Sequence, residues 1–128
     1  MSENPQTIRV LQSMDKQDDT IRILQCEGYL NFETYDQVKN ILARLFRSGI
    51  YKIIFDLQEI KYISSSGWSV FLGPLETTRS SGGDIKLAAM PEQVKFVFDA
   101  LELGNIFKLY DTVEDAAAAF KKASGLQE

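Results

Sequence analysis

Three consecutive serines, Ser64, Ser65 and Ser66, are the residues of this chain whose type and spacing best suit a chemical role. They follow an apolar run that predicts a buried strand over 53–57 and then a short connection. They stand where the pattern predicts that a helix begins. The start of a helix has unpaired backbone N–H groups and the positive end of the helix dipole. A serine there commonly caps the helix, and a hydroxyl there can also carry a phosphate. Taken locally, the pattern favours the cap.

Several other kinds of site are excluded by residues that the chain lacks. There is no histidine, which rules out histidine-dependent triads, cysteine–histidine dyads and histidine-ligated zinc. The single cysteine, Cys26, can form neither an internal disulfide nor a structural zinc site, and we expect it to be a small buried apolar residue. Neither a P-loop nor a GxGxxG motif occurs. We therefore expect a protein that is not an enzyme and that binds no metal and no cofactor.

The composition indicates one globular domain that does not bind nucleic acid. The 128 residues are 45% hydrophobic and 25% charged, which is typical of a single soluble domain. The net charge of -4 and the lack of a Lys/Arg cluster argue against nucleic-acid binding. No apolar run is long enough to span a membrane, and the N-terminal residues do not resemble a signal peptide. We expect a cytoplasmic protein without membrane insertion.

Apolar periodicity predicts alternating strands and helices. Segments 8–13 and 20–27 have a period of two and flank a polar connection, as in an antiparallel hairpin. Further strands are predicted at 51–57, 84–89 and 105–110. Four helices are predicted from their buried stripes, which are Phe32, Tyr35, Val38, Ile41, Leu42, Leu45 and Phe46; Trp68, Phe71, Leu72 and Leu75; Val94, Val97, Phe98 and Leu101; and Val113, Ala116, Ala117 and Phe120. Pro91 is predicted to be the first residue of the third helix.

The order β-β-α-β-α-β-α-β-α predicts the α/β class. The repeated β-α-β units imply a mixed, mostly parallel central sheet, with the antiparallel hairpin at its N-terminal side and about four helices packed on it. No linker or internal repeat divides the chain. We therefore expect a single domain over 1–128, with a core over about 8–120 and short flexible termini.

Residues near the serines could form a contact surface. Ser69 and Val70 lie off the buried stripe of the second helix, which makes them candidates for exposed contacts. Asn31 can cap the first helix, and it is expected near the serines because both follow strands. Pro74 lacks the N–H that would bond the carbonyl of Val70, so the second helix should kink or end early.

The pattern Asp56-Leu-x-x-Ile-x-Tyr-Ile-Ser-Ser-Ser-Gly67, set in this layout, resembles the STAS domain, in particular the bacterial anti-sigma-factor antagonists. The resemblance extends from about Ile8 to Phe120. It implies a partner switch, in which the unphosphorylated antagonist binds an anti-sigma factor and thereby frees a sigma factor. The anti-sigma factor is also a serine kinase of the histidine-kinase-like ATPase fold. It phosphorylates the first serine of the Ser-Ser-Gly motif, the complex dissociates, and a PP2C-type phosphatase reverses the modification.

On this sequence the resemblance makes Ser65 the favoured phosphate acceptor, with Ser64 and Ser66 as lesser candidates. The partner-binding residues that it implies are Asn31, Ser64, Ser66, Gly67, Ser69 and Val70. ATP belongs to the kinase, so no cofactor is expected on this chain. Ser64 and Asn31 depart from the family pattern, which commonly has aspartate at both positions. The alternative is a STAS adaptor that is not phosphorylated and serves as a subunit of a transporter or of a signalling scaffold.

Overall fold

The strands form one five-stranded mixed sheet. The structure is a computed structural model and describes residues 7–123. Its strands are β1 (Ile8–Met14), β2 (Ile21–Leu30), β3 (Lys52–Ile63), β4 (Asp84–Ala88) and β5 (Leu109–Tyr110), and they neighbour one another in sequence order. β1 pairs antiparallel with β2, and all the later neighbours are parallel. The predicted mixed sheet with an N-terminal antiparallel hairpin is therefore confirmed.

Helices follow the strands as the periodicity predicted. They are α1 (Tyr35–Arg47), α2 (Ser65–Leu72), α3 (Leu75–Ser80), α4 (Glu92–Ala100) and α5 (Val113–Ala123), with a 3-10 turn at Leu103–Asn105. The predicted second helix is divided at Gly73 and Pro74, as expected for a proline that cannot donate to the preceding turn. The termini that were predicted to be flexible, 1–6 and 124–128, lie outside the described residues.

Apolar side chains fill both sides of the sheet. On one side, residues of α1, α2 and α4 pack against β2, β3 and β4 in the larger core cluster. On the other side, α5 packs on a smaller cluster that includes Ile21, Ile54 and Phe120. Ile53, Ile54 and Phe55 are all fully buried, because successive residues of a central strand face opposite layers. This explains the continuous apolar run at 51–57.

The main difference from the sequence prediction is the length of β3. Instead of ending at Leu57, the strand continues to Ile63 and pairs with β2 as far as Leu30. Two register shifts interrupt this pairing, so the period of two is broken and the segment resembles a polar connection. Asp56 is consequently in mid-strand, separated from Ile63 by roughly 20 Å of extended chain. It is therefore not a neighbour of the serines.

Three apolar residues that were predicted to be buried are exposed. Phe32, Leu72 and Leu101 are 69%, 38% and 54% exposed. Phe32 precedes α1, Leu72 is the last residue of α2 and Leu101 follows α4, so none of them lies within the packed turns of its helix.

Two boundary predictions were also wrong. The last strand is limited to Leu109–Tyr110, because the chain before it forms the 3-10 turn. Pro91 is extended and precedes α4, which begins at Glu92. Cys26, by contrast, is fully buried as expected, and burial raises the pKa of its thiol to about 12.

Candidate functional site

Ser64 is the N-cap of α2. It follows Ile63 directly, with extended backbone, and its Oγ accepts a hydrogen bond of 3.2 Å from the backbone N–H of Gly67. Its own N–H donates to the carbonyl of Leu30 at 3.0 Å, and its carbonyl accepts from the N–H of Trp68. The capping role that sequence favoured locally is thus filled by the first serine of the triplet. Ser65 and Ser66 are not needed for it.

Ser65 presents its side chain to solvent at the first position of α2. The residue is exposed, and its hydroxyl has no hydrogen-bond partner among the described residues 7–123. Ser66 is partly buried, and its carbonyl accepts a 2.5 Å hydrogen bond from the hydroxyl of Ser69 one turn later. Ser65 is the only one of the three serines that is exposed, and an exposed hydroxyl is what a modifying enzyme requires.

Gly67 holds the start of α2 against the end of β2. A Cβ atom at this position would overlap the carbonyl oxygen of Leu30 and would lie 2.9 Å from Cγ2 of Ile63. Only glycine permits this approach, which the Ser64–Leu30 hydrogen bond also secures. We call Ser64, Ser65, Ser66 and Gly67 the serine turn. Its position is fixed by contacts to β2 as well as by the helix that it opens.

Asn31 lies beside the serine turn, because it follows Leu30 in the chain. Its Oδ1 accepts from the N–H of Glu33 at 3.0 Å, and its carbonyl accepts from the N–H groups of Thr34 and Tyr35. The N-cap position of α1 belongs to Thr34 and has no side-chain cap bond, so the prediction that Asn31 caps the helix was wrong. Asn31 instead shapes the turn that leads into α1, and its expected proximity to the serines is confirmed.

Sequence reasoning missed Thr34 as a residue that supports the site. Its side chain is 3% exposed, and its hydroxyl donates to the carbonyl of Tyr29 at 2.6 Å while accepting from the N–H of Asn31 at 3.0 Å. These bonds tie the turn to the end of β2. The sequence did contain a signal for this role: Thr34, like Asn31, is of a residue type that is favoured at the start of a helix.

Ser69 and Val70 line a groove between α1 and α2. The groove has a volume of about 460 Å³, and its lining is mostly apolar: Lys39, Leu42, Ala43, Phe46, Ser69, Val70, Gly73 and Pro74. Ser69 is exposed as predicted. Val70 was predicted to be exposed and is not, since only 1% of it is accessible. Its side chain belongs to the larger core cluster, and a partner could touch it only at the floor of the groove.

A second cavity surrounds Asp56 on the face of the sheet that α5 covers. It has a volume of about 730 Å³, and its charged lining residues are Asp56, Asp111 and Glu114. All three are acidic, so the cavity would repel a phosphate-bearing ligand. The described residues also contain no group of histidine, cysteine or carboxylate side chains arranged to hold a metal ion. The serine turn and the adjacent groove are therefore taken together as the candidate functional surface, because the exposed Ser65 and Ser69 lie there.

A family model describing the STAS domain matches residues 12–116, which is most of the chain. The chain belongs to the STAS domain family. Anti-sigma factor antagonists of the STAS family are regulators without enzymatic activity.

Relatives of this STAS domain are named as antagonists of anti-sigma factors. The "Putative anti-sigma factor antagonist BtrV" of Bordetella bronchiseptica is 32% identical over 111 residues, which are 87% of this chain and 95% of the relative. A protein of the same description from Thermotoga maritima is 30% identical over 99 residues, covering 77% of this chain and 88% of the relative. The STAS domain thus has the sequence of the anti-sigma factor antagonist branch.

Solved structures share the fold. A crystal structure from Thermotoga maritima, of the same description, has a TM-score of 0.79 and 26% identity and covers 88% of this chain and 94% of its own. SpoIIAA in its unphosphorylated form has a TM-score of 0.73 at 18% identity, over 94% of this chain and all of its own. At that identity the likeness shows the fold alone. None of the helices within 7–123 combines the length and apolarity needed to cross a bilayer.

Proposed function

We propose that this STAS domain is an anti-sigma factor antagonist controlled by phosphorylation of Ser65. In its unphosphorylated form it binds an anti-sigma factor and thereby releases a sigma factor. The observation that carries the proposal is the division of roles in the serine turn. Ser64 supplies the cap of α2, while the neighbouring Ser65 is exposed and has no hydrogen-bond partner among the described residues.

A phosphate on Ser65 would be compatible with the folded molecule. It would add about -1.5 to -2 charges and three acceptor oxygens at the positive end of α2. The cap bond, in which the N–H of Gly67 donates to Oγ of Ser64, does not involve Ser65, so the helix start need not rearrange. The modification would therefore act on the partner and leave the fold of the antagonist intact.

The same phosphate would oppose binding of a partner at this surface. We infer that the partner contacts the exposed side of the serine turn, Asn31 and Ser69, and reaches the groove that begins at Ser69. A dianion in the middle of such a contact would have to lose its hydration, which is costly without a matching cation. The proposed partner is an anti-sigma factor that is also a serine kinase of the histidine-kinase-like ATPase fold. A PP2C-type phosphatase would restore the unphosphorylated form, and all of these events would occur in the cytoplasm.

Phosphorylation by the cognate anti-sigma kinase tests the proposal. The full chain is incubated with kinase and ATP, and the modified residue is located by mass spectrometry. We expect one phosphate on Ser65 in the wild type and none in Ser65→Ala, whereas Ser64→Ala should still be modified on Ser65. Ser65→Asp should weaken binding to the kinase by about tenfold or more, which corresponds to about 1.4 kcal/mol.

The adaptor alternative predicts a different pattern. Its supporting observation is that neither Ser64 nor Asn31 supplies a carboxylate beside the acceptor, and both side-chain oxygens already accept backbone N–H groups. If no peptide containing the serine turn gains phosphate, and if Ser65→Asp binds the anti-sigma factor as well as the wild type does, then the switch is excluded. Binding to a transporter or scaffold subunit would then be the function to examine.

A further inference from the structure

The outer side of β1 is a sheet edge that no other strand covers in the described part of the chain, although Gln37 of α1 bonds to the carbonyl of Ile8 at one end of it. β1 is the first strand in the sheet order, and among residues 7–123 no strand pairs with its outer side. It is seven residues long and contains one charged residue, Arg9. Long edges without several charges or a proline tend to pair with a further strand. The features that usually prevent such pairing are therefore few in β1.

Two hydrogen bonds establish which backbone groups of β1 point outward. The carbonyl of Thr7 accepts from the N–H of Tyr29 at 3.1 Å, so Thr7 faces β2. In an antiparallel pair the facing residues alternate along the strand, so Ile8, Val10, Gln12 and Met14 point away from β2. The carbonyl of Ile8 accepts from Nε2 of Gln37 in α1, which agrees with this assignment. The outward N–H and C=O groups of Val10 and Gln12 are thus presented at the edge.

We propose that two copies of this chain pair antiparallel through β1, about a two-fold axis beside Leu11. In this register Leu11 of one copy faces Leu11 of the second copy, Val10 faces Gln12, and Ile8 faces Met14. It is the one antiparallel register that pairs all seven residues of β1 with all seven of the second copy. The result is a continuous ten-stranded sheet across the dimer.

The side chains of β1 fit that register. Leu11 and Met14 are 39% and 50% exposed, and each gains an apolar neighbour, Leu11 and Ile8 of the second copy. Arg9, the charged residue, faces Ser13. An axis at Arg9 would instead place two arginines opposite each other, which is unfavourable. An axis at Ser13 would place Leu11 opposite Asp15 in the connection that follows β1.

The proposed dimer is small and leaves the serine turn accessible. Two strands of seven residues pair over an area at the low end of specific interfaces, so we expect a weak dimer that depends on concentration. β2 lies between β1 and β3, the strand that leads into the serine turn. Dimerisation and binding at the serine turn should therefore be independent of each other.

Cysteine cross-linking tests the register directly. Leu11→Cys and Ser13→Cys are matched variants, since both residues are exposed, face the same side of the sheet and have backbone groups bonded to β2. Across the axis, a pair of this kind has Cα atoms about 4.5 Å apart, within the range of a disulfide. Cys26 is fully buried and its thiol has a pKa raised to about 12, so it will not compete. Under mild oxidation we expect Leu11→Cys to form a covalent dimer and Ser13→Cys to remain monomeric.

Charge variants test the proposed dimer independently, by its association in solution. Sedimentation velocity of the wild type should reveal a reversible dimer as concentration rises from about 10 µM towards about 1 mM. Leu11→Lys and Leu11→Glu should each be monomeric at the highest concentration, and an equimolar mixture of the two should restore the dimer. The proposal is overturned if the wild type stays monomeric throughout, or if neither substitution affects its dimer. Cross-linking of Ser13→Cys as readily as Leu11→Cys would also overturn it.

Discussion

Adjacent serines at the start of α2 have separable roles, and stability measurements can distinguish them. Ser64→Ala removes the side-chain acceptor for the N–H of Gly67 and should lower the free energy of unfolding by about 1 kcal/mol. Ser64→Thr should retain most of this stabilisation, because threonine also supplies a hydroxyl that can accept the bond. Ser65→Ala removes an exposed hydroxyl and should change the same quantity by less than about 0.5 kcal/mol. Urea unfolding of the three variants provides the measurement, and equal losses for both alanine variants would contradict the assignment of the cap.

Gly67 is the residue of the serine turn that should tolerate substitution least. Gly67→Ala places a methyl group against the carbonyl of Leu30 and should cost about 1–3 kcal/mol, because backbone must move to accept it. Gly104→Ala is a suitable control, since a Cβ there would lie 3.8 Å from the nearest side-chain atom, an ordinary contact. Thermal and urea unfolding should separate the two variants. A Gly67→Ala protein as stable as the control would mean that α2 and β2 are not closely apposed.

At the level of elements, ion pairs attach the β1–β2 connection to the rest of the molecule. Nζ of Lys121 in α5 lies 3.1 Å from Oδ2 of Asp15 and 2.7 Å from Oε1 of Gln17. Nζ of Lys52 in β3 lies 3.8 Å from Oδ2 of Asp18. The sequence indicated only a polar connection here, because contacts between residues far apart in the chain leave no local pattern.

Because of the carboxylates of Asp15 and Asp18, the free energy of unfolding should decrease as the pH falls in the acid range. Partial burial raises the pKa of Asp15, but the N–H of Gln17 and the ammonium of Lys121 outweigh it and lower the pKa below 3.8. The hydroxyl of Thr20 is the largest cause that lowers the pKa of Asp18. Their stabilisation is therefore complete above pH 3.8 and is lost as the pH falls through the lower folded-state values. Urea unfolding from about pH 6 to about pH 2 should show this loss. The double variant Asp15→Asn, Asp18→Asn should reduce the slope, and an unchanged slope would assign the acid sensitivity elsewhere.

The elements that sequence predicted well are those with regular apolar spacing. Val38, Ile41, Leu42 and Leu45 identified α1 because their period matches the helix, and all four are buried. The second half of β3 was missed because its register shifts abolish the alternation on which a strand prediction depends. The position of Asn31 beside the serine turn followed from strand order, whereas the burial of Val70 depends on how α2 packs between α1 and the sheet. The spacing of apolar residues along a single helix does not show how that helix packs between two other elements.

At the scale of the whole molecule, phosphorylation should change the surface and leave the fold unaltered. Ser65 is exposed and takes no part in the bond that caps α2. Ser65→Asp places one negative charge in the first turn of α2, where it should raise stability by about 0.3–1 kcal/mol at low ionic strength. Amide chemical shifts should change only around the serine turn. Widespread shifts across the sheet would indicate that the modification acts through a change of conformation.

Trp68, four residues after the cap, gives the molecule an optical probe at its candidate partner surface. It is the only tryptophan of the chain, it is 4% exposed, and its ring packs against Phe71 and Phe98 at centroid distances of 5.9 and 6.1 Å. Trp68 belongs to the larger core cluster, and its Nε1 has no hydrogen-bond partner among the described residues. Fluorescence from a buried indole responds to small changes in packing or hydration. Intrinsic emission could therefore follow both unfolding and docking at the serine turn without a label.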